Sequence, residues 1–216
     1  MNKTKKITAM GMFAALSYVI MVVCKVMPPM FTAFPFLSYD AKDVVIVTGG
    51  FIFGPLAAFM ISLVVSVIEM LTVSDTNIIG CFMNIAATCA FACTASAIYS
   101  KMRSIKGAGI ALGIGVVCSV ATMLILNYLL TPIYMNVPRG TVVKLLVPAI
   151  LPFNIIKYVL NSALTLIVYK PFVKILRRAN LIQQRQLDYK EKSNIPVLLT
   201  GIFLVLACAV AVYILN

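Results

Sequence analysis

The sequence contains no histidine and no tryptophan, and only six of its residues are acidic. Without histidine, the chain lacks the usual general base near neutral pH and the commonest metal ligand. Charged residues of both signs make up 11% of the 216 residues, against about 25% in a soluble domain. Hydrophobic residues reach 62% and the mean hydropathy is +1.04. That balance excludes an ordinary soluble enzyme and a disordered chain, and leaves a polytopic membrane protein. The net charge of +12 does not imply nucleic-acid binding. The basic residues lie between long apolar runs instead of sharing one solvated face.

Motifs for nucleotide or covalent chemistry are missing too. No G-x-x-x-x-G-K-[ST] loop occurs. Gly107, Gly109, Gly113 and Gly115 have no Lys-Ser/Thr after them and enter an apolar run, so helix packing explains them better. There is no G-x-S-x-G with a histidine partner and no H-E-x-x-H, so no catalytic residue is nominated. Cys24, Cys81, Cys89, Cys93, Cys118 and Cys208 all sit in apolar stretches and read as small packing residues. Cys89 and Cys93 share a helix face, but no second ligand pair accompanies them. Neither a metal site nor a disulfide framework is expected.

A membrane-crossing helix needs about 20 apolar residues. Candidate runs are Ile7 to Met27, a short one from Val44 to Phe53, Leu56 to Val73, Ile78 to Tyr99, Ile110 to Leu130 and Leu146 to Tyr169. A last run covers Pro196 to Leu215 after a basic connector. The expectation is an all-α integral membrane protein with six spans in residues 1–178, a basic cytoplasmic linker at 179–195 and a seventh helix at 196–216. The first run is too long for a signal peptide and no small-residue cleavage site follows it. Strand alternation is absent, which argues against a membrane barrel.

The distribution of lysine and arginine places the N-terminus in the cytoplasm. That side receives Lys3, Lys5, Lys6, Lys101, Arg103, Lys106 and the connector from Lys170 to Lys192. The outside receives Lys25, Lys42, Arg139 and Lys144, partly balanced by Asp40, Asp43 and Asp75. In the connector, Phe172, Ile175, Leu176, Ala179 and Ile182 fall on one helical face. This fits either an interfacial helix on anionic lipid or a solvated linker.

Polar residues inside spans cost free energy unless they are partnered, wet or functional. Asn154, Lys157, Asn161 and Thr165 form one stripe on span six. The stripe is either interhelical glue or the wall of a ligand pocket. Span three carries Ser62, Ser66, Glu69 and Thr72, with Glu69 expected to pair with Lys157 or water. Span four adds Asn77, Asn84 and Thr88, and span five adds Asn127. The first outer loop, from Pro28 to Asp43, is rich in proline and aromatics. It serves either as an interfacial anchor or as a lid over an aromatic ligand. Gly11, Ala14, Ala15 and Ser17 give span one small side chains, for internal packing or for docking a partner subunit.

Four stretches carry a family resemblance: Leu37-Ser38-Tyr39-Asp40-Ala41-Lys42-Asp43-Val44, Phe53-Gly54-Pro55, Leu126-Asn127-Tyr128 and Pro152-Phe153-Asn154-Ile155-Ile156-Lys157. With them, residues 5 to 178 resemble the riboflavin-specific substrate-binding (S) components of energy-coupling-factor (ECF) vitamin transporters. The resemblance implies six spans in a bacterial cell membrane and one vitamin bound near the outer face. It implies that Asn127, Asn154 and Lys157 hydrogen-bond the isoalloxazine edge, that Leu37, Tyr39 and Asp40 contribute from the loop, and that Asn84 lines the site. It further implies docking of a transmembrane coupling (T) subunit on Gly11, Ala14 and Ala15. Two separate ATPase subunits would use ATP, so riboflavin is the transported substrate and the chain carries no cofactor. The alternatives are an S component for another vitamin or for FMN and, more distantly, a membrane enzyme or a non-binding assembly subunit. The C-terminal run goes beyond the family pattern, as a further span or a docked accessory helix.

Overall fold

The computed structural model describes residues 3–27, 37–73, 77–178 and 195–215. Among these, every regular element is helical. Helix α1 covers Lys3–Val26, α2 Lys42–Phe53 and α3 Pro55–Thr72. Helices α4 (Asn77–Thr88) and α5 (Thr94–Met102) are joined by a π turn at Cys89–Cys93. Helix α6 covers Ile105–Tyr134. Helices α7 (Arg139–Leu145) and α8 (Leu151–Arg178) are joined by a second π turn at Leu146–Ile150, and α9 covers Ile195–Leu215. Residues 28–36 of the first outer loop lie outside the described residues, as do residues 179–194 of the basic connector.

Five helical segments have the length and composition to cross a membrane: Lys3–Val26, Pro55–Thr72, Ile78–Met102, Ile105–Tyr134 and Arg139–Ile175. The second expected span, α2, has 12 residues, about 18 Å at 1.5 Å per residue. That falls short of a hydrocarbon core about 30 Å thick. Its surroundings explain why the short length is tolerated. Every residue from Lys42 to Phe51 is buried, and α2 packs against α1, α3, α5 and α8. A helix encased in protein has no need to match the bilayer.

Glycines permit this central position. A Cβ on Gly50 would overlap the Ser96 hydroxyl and lie 2.9 Å from Ala58 Cβ. One on Gly49 would lie 2.9 Å from Ile61 Cδ1. Gly107 and Gly115 likewise have no room for a side chain, whereas Gly109 and Gly113 face open space. Packing therefore accounts for two of those four glycines and not for the others.

The ends of the bundle differ in chemistry. At one end Phe51 stacks on Tyr99 with centroids 4.2 Å apart, and Tyr169 meets both rings edge-on. Phe13 packs on Phe53 and Phe172 beside them. Exposed Lys3, Lys5, Lys6, Lys101, Arg103 and Lys106 rim this end. Helix α8 continues past the expected boundary at Tyr169, through Pro171, to Arg178. The start of the connector is thus the last turns of α8. Ala179 and Ile182, on the apolar face expected of an interfacial helix, lie outside the described residues.

Gly54 makes the turn from α2 to α3 with φ 96° and ψ 172°, a region that is essentially glycine-only. Pro55 then starts α3 at a position where its missing N–H costs nothing. Gly54→Ala is expected to destabilise the protein by about 1–3 kcal/mol with unchanged helix content. A thermal melt of the detergent-purified variant, followed by circular dichroism, checks this.

Candidate functional site

The end of the bundle opposite the aromatic cluster collects the buried polar groups. Asn154, Asn161 and Thr165 on α8 are fully buried, and the Lys157 side chain is 12% exposed. The returning end of the first loop lies across them. Lys157 Nζ donates to Asp40 Oδ2 at 2.9 Å. Asn161 Nδ2 donates to the Asp40 carbonyl at 3.2 Å, and Tyr39 Oη donates to Asn161 Oδ1 at 2.7 Å. Asn161 belongs to the polar stripe of the sequence but not to the ligand set implied by the resemblance. It uses both ends of its amide to hold the loop. Burial raises the pKa of the Asp40 carboxyl, but Lys157 and Lys42 outweigh that and hold it at about 2.

Local chemistry explains how α8 presents Asn154. Pro148 lies in the π turn and Pro152 just after it, and neither has an N–H to donate to the helix ladder. Asn154 Nδ2 donates to the Ile150 carbonyl at 2.7 Å. A carbonyl can only accept, so the amide nitrogen faces Ile150 and Oδ1 is turned away. That oxygen is buried and has no hydrogen-bond partner among the described residues, and the same holds for Asp40 Oδ1 and Asp43 Oδ2. Buried polar atoms are nearly always partnered; the Ser62 and Ser96 hydroxyls are in the same state, and the three amide and carboxylate oxygens leave this cluster able to accept further donors.

The second ion pair differs from expectation. Glu69 does not meet Lys157. It accepts from Lys42 Nζ at 2.5 Å, and the two side chains are only 8% and 2% exposed. From sequence Lys42 reads as an outer-side charge, yet it sits at the first turn of the encased α2. One residue on, Asp43 Oδ1 accepts from Thr88 Oγ1 at 2.8 Å, next to the π turn that ends α4. The sequence pattern places Thr88 on a polar face without giving it a partner.

The remaining nominated residues are spread around this cluster. Leu37 is buried with Ala149, Phe153, Ile156 and Cys208. Asn127 on α6 is buried but satisfied within its own helix. Its Nδ2 donates to the Met123 carbonyl at 2.8 Å and its Oδ1 accepts from Thr131 Oγ1 at 2.9 Å. Asn84 is half-buried on α4, which packs against α3 and α6. Among the described residues, no hydrogen bond joins Asn84 or Asn127 to residues 37–41. The small-residue face of α1 divides. Gly11 and Ala15 are exposed, with open space around Gly11. Ala14 is buried in the main core. Ala14 thus packs inward while Gly11 and Ala15 face out, because one residue along a helix turns the side chain by about 100°.

The fold and the site define a multi-pass membrane protein with an enclosed polar site at one end. The family model for the substrate-specific component of ECF transporters matches residues 5–169, and the chain belongs to that family. It is 30% identical over 184 residues to the riboflavin transporter RibU of Staphylococcus aureus strain TCH60, covering 82% of this chain and 95% of the relative. It is 26% identical over 197 residues to the riboflavin transporter FmnP of Bacillus subtilis strain 168, covering 83% and 99%. It is also similar to a solved structure of the S component of a bacterial ECF transporter. That match has a TM-score of 0.68 and 30% identity, and covers 82% of this chain and 100% of that one.

The Lys42–Glu69 pair yields a double-mutant test. Lys42→Met or Glu69→Leu alone leaves one buried charge unpartnered and is expected to cost about 3–5 kcal/mol. The double variant replaces the pair by apolar groups and recovers the part of that loss due to the pair, while Asp40 and Asp43 still lose the Lys42 charge. Thermal unfolding of the four proteins in one detergent measures the coupling.

Proposed function

We propose that this chain binds riboflavin at the loop-covered end and carries it across the bacterial plasma membrane as the S component of an ATP-driven ECF transporter. One observation carries the reading: the cluster of unpartnered buried acceptors beside Lys157. A flavin edge offers an imide N–H between two carbonyls, and its ribityl chain offers hydroxyls. Asn154 Oδ1 would accept from the imide N–H, and Lys157 would donate to a neighbouring carbonyl. A lysine ammonium has three donors, and Asp40 uses one of them, so Lys157 can serve the ligand and the loop together. The free oxygens of Asp40 and Asp43 would accept from ribityl hydroxyls. Tyr39 and Leu37 would cover the ring. Asn127 would have to exchange its bonds to Met123 and Thr131 for bonds to the ligand. Asn84 would line the α4 side. The relatives named as riboflavin transporters support the same assignment.

A neutral ligand suits this end better than FMN. Among the described residues, the cations paired with acids here are Lys42 and Lys157, set against Asp40, Asp43 and Glu69. Lys42 is committed to Glu69. The site end would face outward, with the basic aromatic end and the N-terminus in the cytoplasm, in agreement with the lysine and arginine bias. A T component and two ATPase subunits would supply the work, and the role of this chain is binding and passage without catalysis. Gly11 and Ala15 on the exposed face of α1 would meet the T component. The division into a core at 1–178, a linker at 179–195 and a helix at 196–216 assigns the ligand to the core.

Asn154→Ala is expected to weaken riboflavin binding by about 5- to 150-fold, the equivalent of about 1–3 kcal/mol. A flavin-fluorescence titration of the purified variant reads this directly, and unchanged affinity would overturn the pocket. Ala15→Leu is expected to keep riboflavin binding and to lower riboflavin uptake in cells producing the full transporter. Lost binding would reassign that face to internal packing.

A further inference from the structure

We infer that α9 is a working part of the binding site: it clamps the Leu37 end of the first loop against α8 and slows the escape of ligand. The inference rests on the ligand reading above and concerns a helix beyond residue 169, where the family model stops.

Three features support it. First, α9 lies close along α8. A Cβ on Gly201 would lie 2.6 Å from Ile167 Cγ1 and 3.4 Å from the Ala163 carbonyl. Second, one face of α9 is turned inward. Two turns beyond Gly201, Cys208 is 6% exposed, and Ala211 and Val212 pack beside it. Phe203, Leu206 and Val210 on the other face are 70%, 60% and 57% exposed. Third, the inward face joins the site. Cys208 shares one buried cluster with Leu37, Ala149, Phe153 and Ile156. Ala149 lies in the π turn, Phe153 precedes Asn154, and Ile156 precedes Lys157. Leu37 is two residues from Tyr39. Helix α9 therefore backs both the stretch of α8 that presents the polar groups and the loop end that lies over them.

Lipid is as apolar as these side chains, so the hold comes from fit and not from hydrophobic transfer. Lifting the loop withdraws Leu37 from a packed cluster, and the dispersion attraction to its neighbours there opposes the movement. An α9 pushed away from α8 leaves Leu37 against fluid lipid, where withdrawal is easier. The glycine at 201 is what allows the close approach.

The test uses the full chain in detergent, with riboflavin dissociation followed by stopped-flow fluorescence. Gly201→Leu and Cys208→Trp are expected to speed dissociation by about tenfold, as for lost preorganisation. Phe203→Ala, on the exposed face, is expected to match the unmodified chain. A second measurement needs no ligand. A cysteine introduced by Leu37→Cys is labelled with a maleimide and quantified by peptide mass spectrometry, with and without Gly201→Leu. The clamp predicts faster labelling when Gly201 is replaced. Unchanged labelling would overturn the clamp, and faster labelling with unchanged dissociation would overturn its role in holding ligand. An unmodified chain that binds no riboflavin would instead remove the proposed ligand, and the labelling result alone would then decide the contact.

Discussion

A charge inside a bilayer-sized bundle must have a partner, and the site end is built around that constraint. Placing one ionised side chain at the centre of a membrane helix costs about 2.5–3.5 kcal/mol even on insertion scales. Here Lys42 and Asp43 sit on the encased α2 and draw their partners from different helices: Glu69 on α3 and Thr88 on α4. Asp40, just before α2, reaches Lys157 and Asn161 on α8. Satisfying these groups together fixes where α2 lies and how α3, α4 and α8 surround it. The glycines at 49 and 50 let α1, α3 and α5 close in on α2. At the other end, aromatic contacts among Phe51, Tyr99 and Tyr169 need no charge and seal the base.

The same constraint links structure to function. A fully satisfied polar cluster would be glue and nothing more. This one keeps acceptors on Asp40, Asp43 and Asn154 without partners among the described residues, while Lys157 keeps donor capacity beyond its bond to Asp40. The neighbouring Lys157 and Lys42 hold the Asp40 carboxyl below its usual range, which favours the ionised form that bonds Lys157. Residues 37–41 are held by the Asp40 and Tyr39 bonds on one side and by the apolar cluster around Leu37 on the other.

Much of the fold is legible in the sequence because polar residues stand out in apolar runs. The α8 stripe has helical period and does form one face, and the bundle end it marks is where the loop returns. The short apolar run around Gly49 and Gly50 is recognisable as a helix, but nothing local shows that it lies at the centre. For that reason Lys42 reads from sequence as an outer-side charge, and Glu69 as a partner for Lys157 or for water. Ion-pair choice among a few buried charges depends on helix rotation and depth, which periodicity alone does not fix. The π turns are not anticipated either, although Pro148 and Pro152 are a local signal for one of them. Size groups Ala14 with Gly11 and Ala15, whereas burial separates them by rotation about α1. Cys208 carries no signal at all, because only the long-range packing of α9 brings it into one cluster with Leu37.

The central claim is that the loop-covered cluster is a site for a neutral flavin. The most direct measurement is a fluorescence titration of the unmodified, detergent-purified chain with riboflavin, with thiamine and FMN as competitors. The account predicts saturable one-to-one quenching that thiamine leaves untouched and that FMN displaces only weakly. No quenching by a folded, flavin-free preparation would contradict the assignment, as would full displacement by thiamine.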